Sequence, residues 1–301
     1  MDILWALEGI RTPFLDTLIT MITRLGEEMI IIVLFCFLFW CINKRMAYVI
    51  GIVFFFTAII VQGMKITLRV DRPWVYDPTF TTVTGAEGTA TSYAFPSGHT
   101  QAAAAYLMPL GLLLKEKSKA IMIALFTLAL LVAFSRMYLG VHYLSDVIVS
   151  LAIVFVVTLL AIKLYYNAPE TKKSVILFPI LIAAASVILL VIVAVLNNSG
   201  VTLASELRDS VIAAGAALGF AVGMYIEQTY INFSVKSENI WLHIAKFALG
   251  VAGTLAIMEG GRIMGANLIA DGIRYGLITL WITAIYPLII KKTRFMTVKE
   301  K

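Results

Sequence analysis

The sequence predicts an all-α membrane protein: a polytopic transmembrane helix bundle of about nine spans, preceded by an N-terminal interfacial amphipathic helix. Three observations carry this. Of the 301 residues, 60% are hydrophobic and 14% charged, with mean hydropathy +0.92, where soluble chains carry about 25% charged residues. Apolar runs near spanning length recur along the chain, and the basic residues between them alternate in density from one loop to the next. A chain this apolar needs lipid as its solvent.

Taken in order, residues 1–28 place Phe14, Leu15, Leu18, Ile19, Ile22 and Leu25 at helical spacing. Asp2, Glu8, Arg11, Asp16 and Arg24 interrupt the apolar stretch that a signal peptide requires. The segment reads as an amphipathic helix on the outer interface, with a tenth, atypical span as the alternative. The spans follow at 29–42, 46–64, 100–114, 120–134, 147–166, 174–197, 208–226, 241–258 and 272–290. A span needs about 17–25 residues. The shorter runs are flanked by Lys44–Arg45 and Lys115–Lys119, whose side chains can snorkel to the interface. Cys36 and Cys41 both fall in the first span and read as packing residues rather than a disulfide or metal pair. Gly215, Gly219 and Gly223 lie on one helix face and allow close helix approach. Packing within the chain is the favoured use of that face, and a homodimer through the C-terminal spans is the other.

Charge sets the topology. Lys44, Arg45, Lys115, Lys117, Lys119, Lys172, Lys173, Lys236 and the tail Lys291, Lys292, Arg294, Lys299 and Lys301 fall on one side. The opposite side holds fewer: Arg11, Arg24, Lys65, Arg69, Arg72, Arg136, Arg208, Arg262 and Arg274. The positive-inside rule puts the first set and the C-terminus in the cytoplasm. Basic residues spread over loops in this way do not form a nucleic-acid patch, so no nucleic-acid partner is expected; the expected surroundings are a lipid bilayer, read as a bacterial plasma membrane.

Two outer connections, 65–99 and 135–146, hold nearly all the unusual polar residues. Residues 76–95 are rich in Thr, Gly, Ala and Asp and read as loop. Two of the three histidines, His99 and His142, lie in these connections. Lys65, Arg72 and Arg136 reach the same face of the membrane. Arg offers a planar fork to phosphate and Lys a point charge. Ser97 and Gly98 open the span that follows, where unpaired backbone N–H groups favour an anion and Gly98 permits close approach. This is a dianion site. His142 and Asp146 are four apart and share a face if 141–150 is helical. The carboxylate then holds one ring proton and leaves the other nitrogen free to attack. His99 can protonate the leaving oxygen. Two His and one Asp could instead bind zinc, but three neighbouring cations oppose a divalent ion. No metal and no cofactor is expected. His243, beside Trp241, is assigned no role.

The residues carry a resemblance. Lys65 with six residues to Arg72–Pro73, then Pro96–Ser97–Gly98–His99, then Ser135–Arg136 with five residues to His142 and three more to Asp146, resemble the three-part signature of the type 2 phosphatidic acid phosphatase superfamily. Every fixed position is present, in order. The resemblance covers roughly residues 1–166. It implies metal-independent phosphate removal through a phosphohistidine: His142 as nucleophile, Asp146 orienting it, His99 as general acid, and Lys65, Arg72, Ser97, Gly98 and Arg136 binding the phosphoryl group. It implies a phosphatase core over 1–166 and a membrane lipid phosphate as substrate: phosphatidic acid, phosphatidylglycerol phosphate or a polyprenyl diphosphate. The four further spans in 167–301 depart from minimal members and receive no role. A phosphotransferase, a phosphatase for soluble esters and a lipid transporter or scaffold are the competing readings.

Overall fold

The computed structural model describes residues 1–169, 172–265 and 267–293. The tail residues Arg294, Lys299 and Lys301, and the side chains of Lys172 and Lys173, lie outside the described residues. Among the described residues there is no strand. Thirteen α-helices follow one another: α1 (Asp2–Glu8), α2 (Pro13–Thr23), α3 (Glu28–Phe37), α4 (Lys44–Leu68), α5 (Pro73–Tyr76), α6 (Gly98–Leu114), α7 (Lys119–Tyr138), α8 (Leu144–Ala161), α9 (Lys172–Ser199), α10 (Ala204–Ile226), α11 (Ile240–Gly260), α12 (Leu268–Leu280) and α13 (Tyr286–Lys292).

Among the described residues, seven helices are long and apolar enough to cross a membrane, or up to eight when the bent pair Pro13–Gly26 and Glu28–Ile42 is taken as one span. A π turn at Trp281–Ile285 joins α12 to α13, so the two run as a single span. Helix α6 has 17 residues, about 26 Å, slightly less than the hydrocarbon thickness of about 30 Å. It lies between α4, α7 and α8, which brings the bundle to the expected arrangement.

The N-terminal segment differs from a single amphipathic helix. Thr12 caps α2 by accepting from the Leu15 N–H, and Pro13 takes the first helical position. The break separates α1 from α2, and α2 meets α3 at a 50° bend. Starts elsewhere are capped in the same way. The Asn43 side chain accepts from Arg45 and Met46 N–H, both at 3.0 Å, and Ser118, Asn239 and Asn267 cap α7, α11 and α12. A side-chain oxygen satisfies amides that the first helical turn leaves unpaired.

Helix α4 is the axle, packed against α6, α8, α9 and α10. The second half therefore joins the first through α9 and α10, and one apolar cluster runs through both. Within the second half α10 lies closest to α12. A Cβ on Gly215 would overlap the Gly272 carbonyl, and one on Gly219 the Gly276 carbonyl. The three-glycine face is thus filled from the same chain and is not open to a second copy.

At the end of the bundle away from the two polar connections, Lys44 and Glu227 pair at 3.0 Å, and the Tyr48 hydroxyl donates to Glu227 at 2.6 Å. The buried carboxylate is fully partnered, as burial requires. At the other end the N-terminal helices clamp the connections. Arg11 donates to the carbonyls of Tyr138 (3.1 Å) and Thr81 (2.7 Å), and Tyr138 donates to Asp16 at 2.8 Å.

Candidate active site

The two polar connections meet at one end of the bundle. The first leaves α4 where Arg69 turns into the left-handed region, φ 49°, passes through α5 and a single 3₁₀ turn at Glu87–Thr89, and ends at Ser97. The expected loop is therefore loop with two short turns. The second connects α7 to α8 through Gly140, φ +82°, where a Cβ would press on Arg11 and Phe80.

Arg72 organises the centre. Its Nε donates to Ser92 O at 3.0 Å, Nη2 to Thr91 O at 2.6 Å and Nη1 to Val141 O at 2.9 Å. Nη1 also lies 3.1 Å from His142 Nε2. A guanidinium only donates, so Nε2 holds a lone pair and the ring proton sits on Nδ1. Nδ1 in turn lies 3.1 Å from Asp146 Oδ2. The same oxygen accepts from the Tyr143 N–H at 2.9 Å, and Oδ1 accepts from Ser145 Oγ at 3.2 Å.

The His142–Asp146 contact does not arise as the spacing suggested. Helix α8 begins at Leu144, with Tyr143 as its N-cap. His142 therefore precedes the helix, and Asp146, at the third helical position, reaches back to both the cap amide and the ring. A capping interaction does the work assigned above to a shared helix face. Burial, followed by the charges of Arg72, Arg136 and Lys65, holds the His142 imidazole well below its ordinary value. Both effects disfavour the imidazolium, so the ring is neutral.

The other basic residues stand around this pair. Lys65, buried in the last turn of α4, donates to Tyr93 O at 2.6 Å. Arg136 is buried, with Nη1 donating to Thr23 Oγ1 at 2.9 Å and both terminal nitrogens near Thr89 Oγ1 at 3.3 and 3.2 Å. Its Nε has no hydrogen-bond partner. Ser97 caps α6 by accepting from the Thr100 N–H at 3.4 Å. Its own N–H donates to Asp146 O at 3.1 Å and its carbonyl accepts from Ser150 at 2.9 Å, which fixes the start of α6 against α8. At Gly98 an added Cβ would meet open space.

A cavity of about 570 Å³ opens here. Lys65, Arg72, Gly98, His99 and His142 line it; Ser97, Arg136 and Asp146 do not. Several contributors were not legible beforehand: the carbonyls of residues 91–93, Thr23, Thr89 and Gly26. A Cβ on Gly26 would stand 2.7 Å from the His99 carbonyl oxygen, so the turn before α3 packs directly on the backbone that carries His99. Among the described residues no cluster of three or more His, Cys, Asp or Glu could hold a metal.

Comparison with known proteins gives two family matches. Residues 44–170 match the PAP2 superfamily, and residues 211–298 match the PAP2 superfamily phosphatase, transmembrane extension. No curated protein matches the chain. Among solved structures, the first transmembrane PAP2 type phosphatidylglycerolphosphate phosphatase from Bacillus subtilis is similar, at 24% identity and a TM-score of 0.48, over 57% of this chain and 86% of that one.

Proposed function

Because the chain belongs to the PAP2, or type 2 phosphatidic acid phosphatase, superfamily of membrane phosphatases, we propose that it hydrolyses a lipid phosphate monoester or diphosphate through a phosphohistidine on His142. The observation that carries this reading is the orientation of the ring. Nδ1 is committed to Asp146, while Nε2 is a lone-pair nitrogen beside Arg72 at the polar end of the cavity.

In the proposed first step the Nε2 lone pair attacks phosphorus and the P–O bond to the lipid breaks. His99, protonated when the anionic headgroup offsets the surrounding Arg136, Lys65 and Arg72 charges, gives its proton to the departing oxygen. The N–H of Arg72 now on Nε2 turns to a phosphoryl oxygen, joined by Lys65 and by the amides at the start of α6. Arg136, buried behind the cavity lining, adds positive charge to the site without touching the group. Asp146 stabilises the positive ring. In the second step His99 takes a proton from water, the oxygen attacks phosphorus, and the P–N bond breaks to release inorganic phosphate. The cations neutralise the phosphoryl charge, so no metal is required. Ser97 acts by holding the α6 N-terminus in place. The charge pattern supports a plasma-membrane orientation with this site outside and the C-terminus in the cytoplasm, in a bacterium.

The test is phosphate release by purified protein in excess EDTA across lipid monophosphates and diphosphates. Wild type is expected to turn over at least one, and His142→Ala none, while remaining folded. Activity that EDTA abolishes and zinc or magnesium restores overturns the metal-free mechanism. A His142→Ala protein within a few-fold of wild type overturns the nucleophile.

A further inference from the structure

The catalytic cavity does not stop at the polar residues. Its wall follows one face of α4 from Lys65 to Ile50, fifteen residues deeper into the bundle, or about 22 Å at the helical rise. Facing α4 are α10, from Arg208 to Phe220, and the α12 span, from Tyr275 to Thr283. The floor is aromatic. Phe220 lies 4.7 Å from Phe55 and 6.0 Å from Phe35 between ring centroids, and its ring occupies the place a Cβ on Gly51 would need. Charged groups cluster at the mouth, and the depth is mainly apolar, with Thr279 and Thr283 as its polar side chains on the α12 span. A volume of about 570 Å³ is that of a ligand pocket, and about 22 Å exceeds one leaflet of a bilayer core about 30 Å thick.

We infer that the C-terminal extension is the substrate's tail-binding wall: a hydrocarbon tail at least a leaflet long lies inside the protein, between α4 and the extension helices, with Phe220 as the end stop. This deepens the proposed phosphatase reading and rests on it. Continuity identifies the occupant, since the same cavity that begins at His142 ends at Phe220 with no intervening wall. A tail already in lipid gains little from a second apolar environment. The pocket therefore selects by length and shape and brings the headgroup to His142, whereas a tail left in the bilayer would leave turnover indifferent to the extension.

Two variants narrow the cavity away from the chemistry: Ala213→Phe on α10 and Ala58→Phe on α4, both at lining positions. The probes are dipalmitoyl and dihexanoyl phosphatidic acid in detergent micelles. Each variant is expected to lose about tenfold or more in kcat/KM on the long-chain probe, the scale of hydrophobic-pocket discrimination, and less than twofold on the short one. Equal losses on both probes, or none on either, overturn the inference. A second readout needs no turnover: a long-chain phosphatidic acid with a photoreactive diazirine at the tail end. Crosslinks are expected near Phe220 and Ile282. Labelling confined to outward-facing residues such as Ile188 and Val191 on α9 overturns the inference. Crosslinks at Phe220 in a protein that hydrolyses nothing would retain the tail site and refute the phosphatase reading.

Discussion

Replacing Asp146 by Asn removes one charge and little else. Oδ2 accepts from both the Tyr143 N–H and His142 Nδ1, while Oδ1 faces the Ser145 hydroxyl. An Asn with its carbonyl oxygen at the Oδ2 position keeps both acceptor contacts, and its NH₂ can donate to Ser145. The reversed amide would set NH₂ against the Tyr143 N–H and leave a buried donor unpaired, at about 1–3 kcal/mol. The ring therefore keeps its proton on Nδ1 and stays correctly oriented. The missing quantity is attraction between the carboxylate and the ring as it becomes positive. At a charge separation of about 4 Å and an effective dielectric of about 20 this is about 4 kcal/mol, or about 10³ in rate. The amide dipole recovers part, so the expected loss is on the order of 10²–10³, with substrate affinity kept. Asp146→Ala also frees the tautomer and should lose about 10⁴, the loss a serine triad shows when its imidazole is left in the wrong tautomer. Rapid-quench measurement of phosphoenzyme formation separates these steps from hydrolysis. An Asn variant that forms phosphoenzyme at the wild-type rate would refute the charge argument, and an Asn variant as poor as Ala would refute the retained geometry.

Three further outcomes follow from the same structure. His142 titrates below its ordinary value in the fold, mainly through burial, so below about pH 6.5 the unfolded chain binds a proton that the folded site refuses; stability falls with pH there by up to about 1.4 kcal/mol per unit. His142→Gln should remove that component, seen as a smaller drop in Tm between pH 7.5 and 5.5, and equal drops would count against it. Gly219→Leu should lower Tm, because its side chain must displace the Gly276 backbone at an overpacking cost of about 1–3 kcal/mol; an unchanged Tm would mean that α10 and α12 can separate freely. In a background lacking Cys36 and Cys41, Thr82→Cys should react with an impermeant thiol reagent on whole cells and Ser118→Cys should not, and the reverse pattern would invert the topology.

The helices were legible because each apolar run must satisfy its own backbone in lipid, and the site's cast was legible from spacing in two connections. The stage was not. Nothing local marks residues 91–93 as the acceptors for Lys65 and Arg72, since a carbonyl is present at every residue and only the fold selects which ones point inward. The His142–Asp146 contact was foreseen through a helix that begins two residues too late to make it; capping and helical periodicity place residues i and i+4 at similar reach, and sequence does not separate them. Gly26 looked like a turn residue, and its closeness to His99 is a contact between segments distant in the chain. The break at Thr12–Pro13 carried a cap-and-proline signal that the continuous apolar spacing masked.

The Thr91 hydroxyl donates to Asp209 at 2.5 Å, and the Ser92 hydroxyl to the Glu206 carbonyl at 3.2 Å. These same two residues present their own carbonyls to Arg72. The loop is therefore not a portable cassette. Grafted onto a bundle without α10, it would carry the same letters with its moorings cut, and two of the carbonyls that hold the guanidinium would be free to wander. What looks like a self-sufficient signature is half a truss, and its other half lies 118 residues downstream.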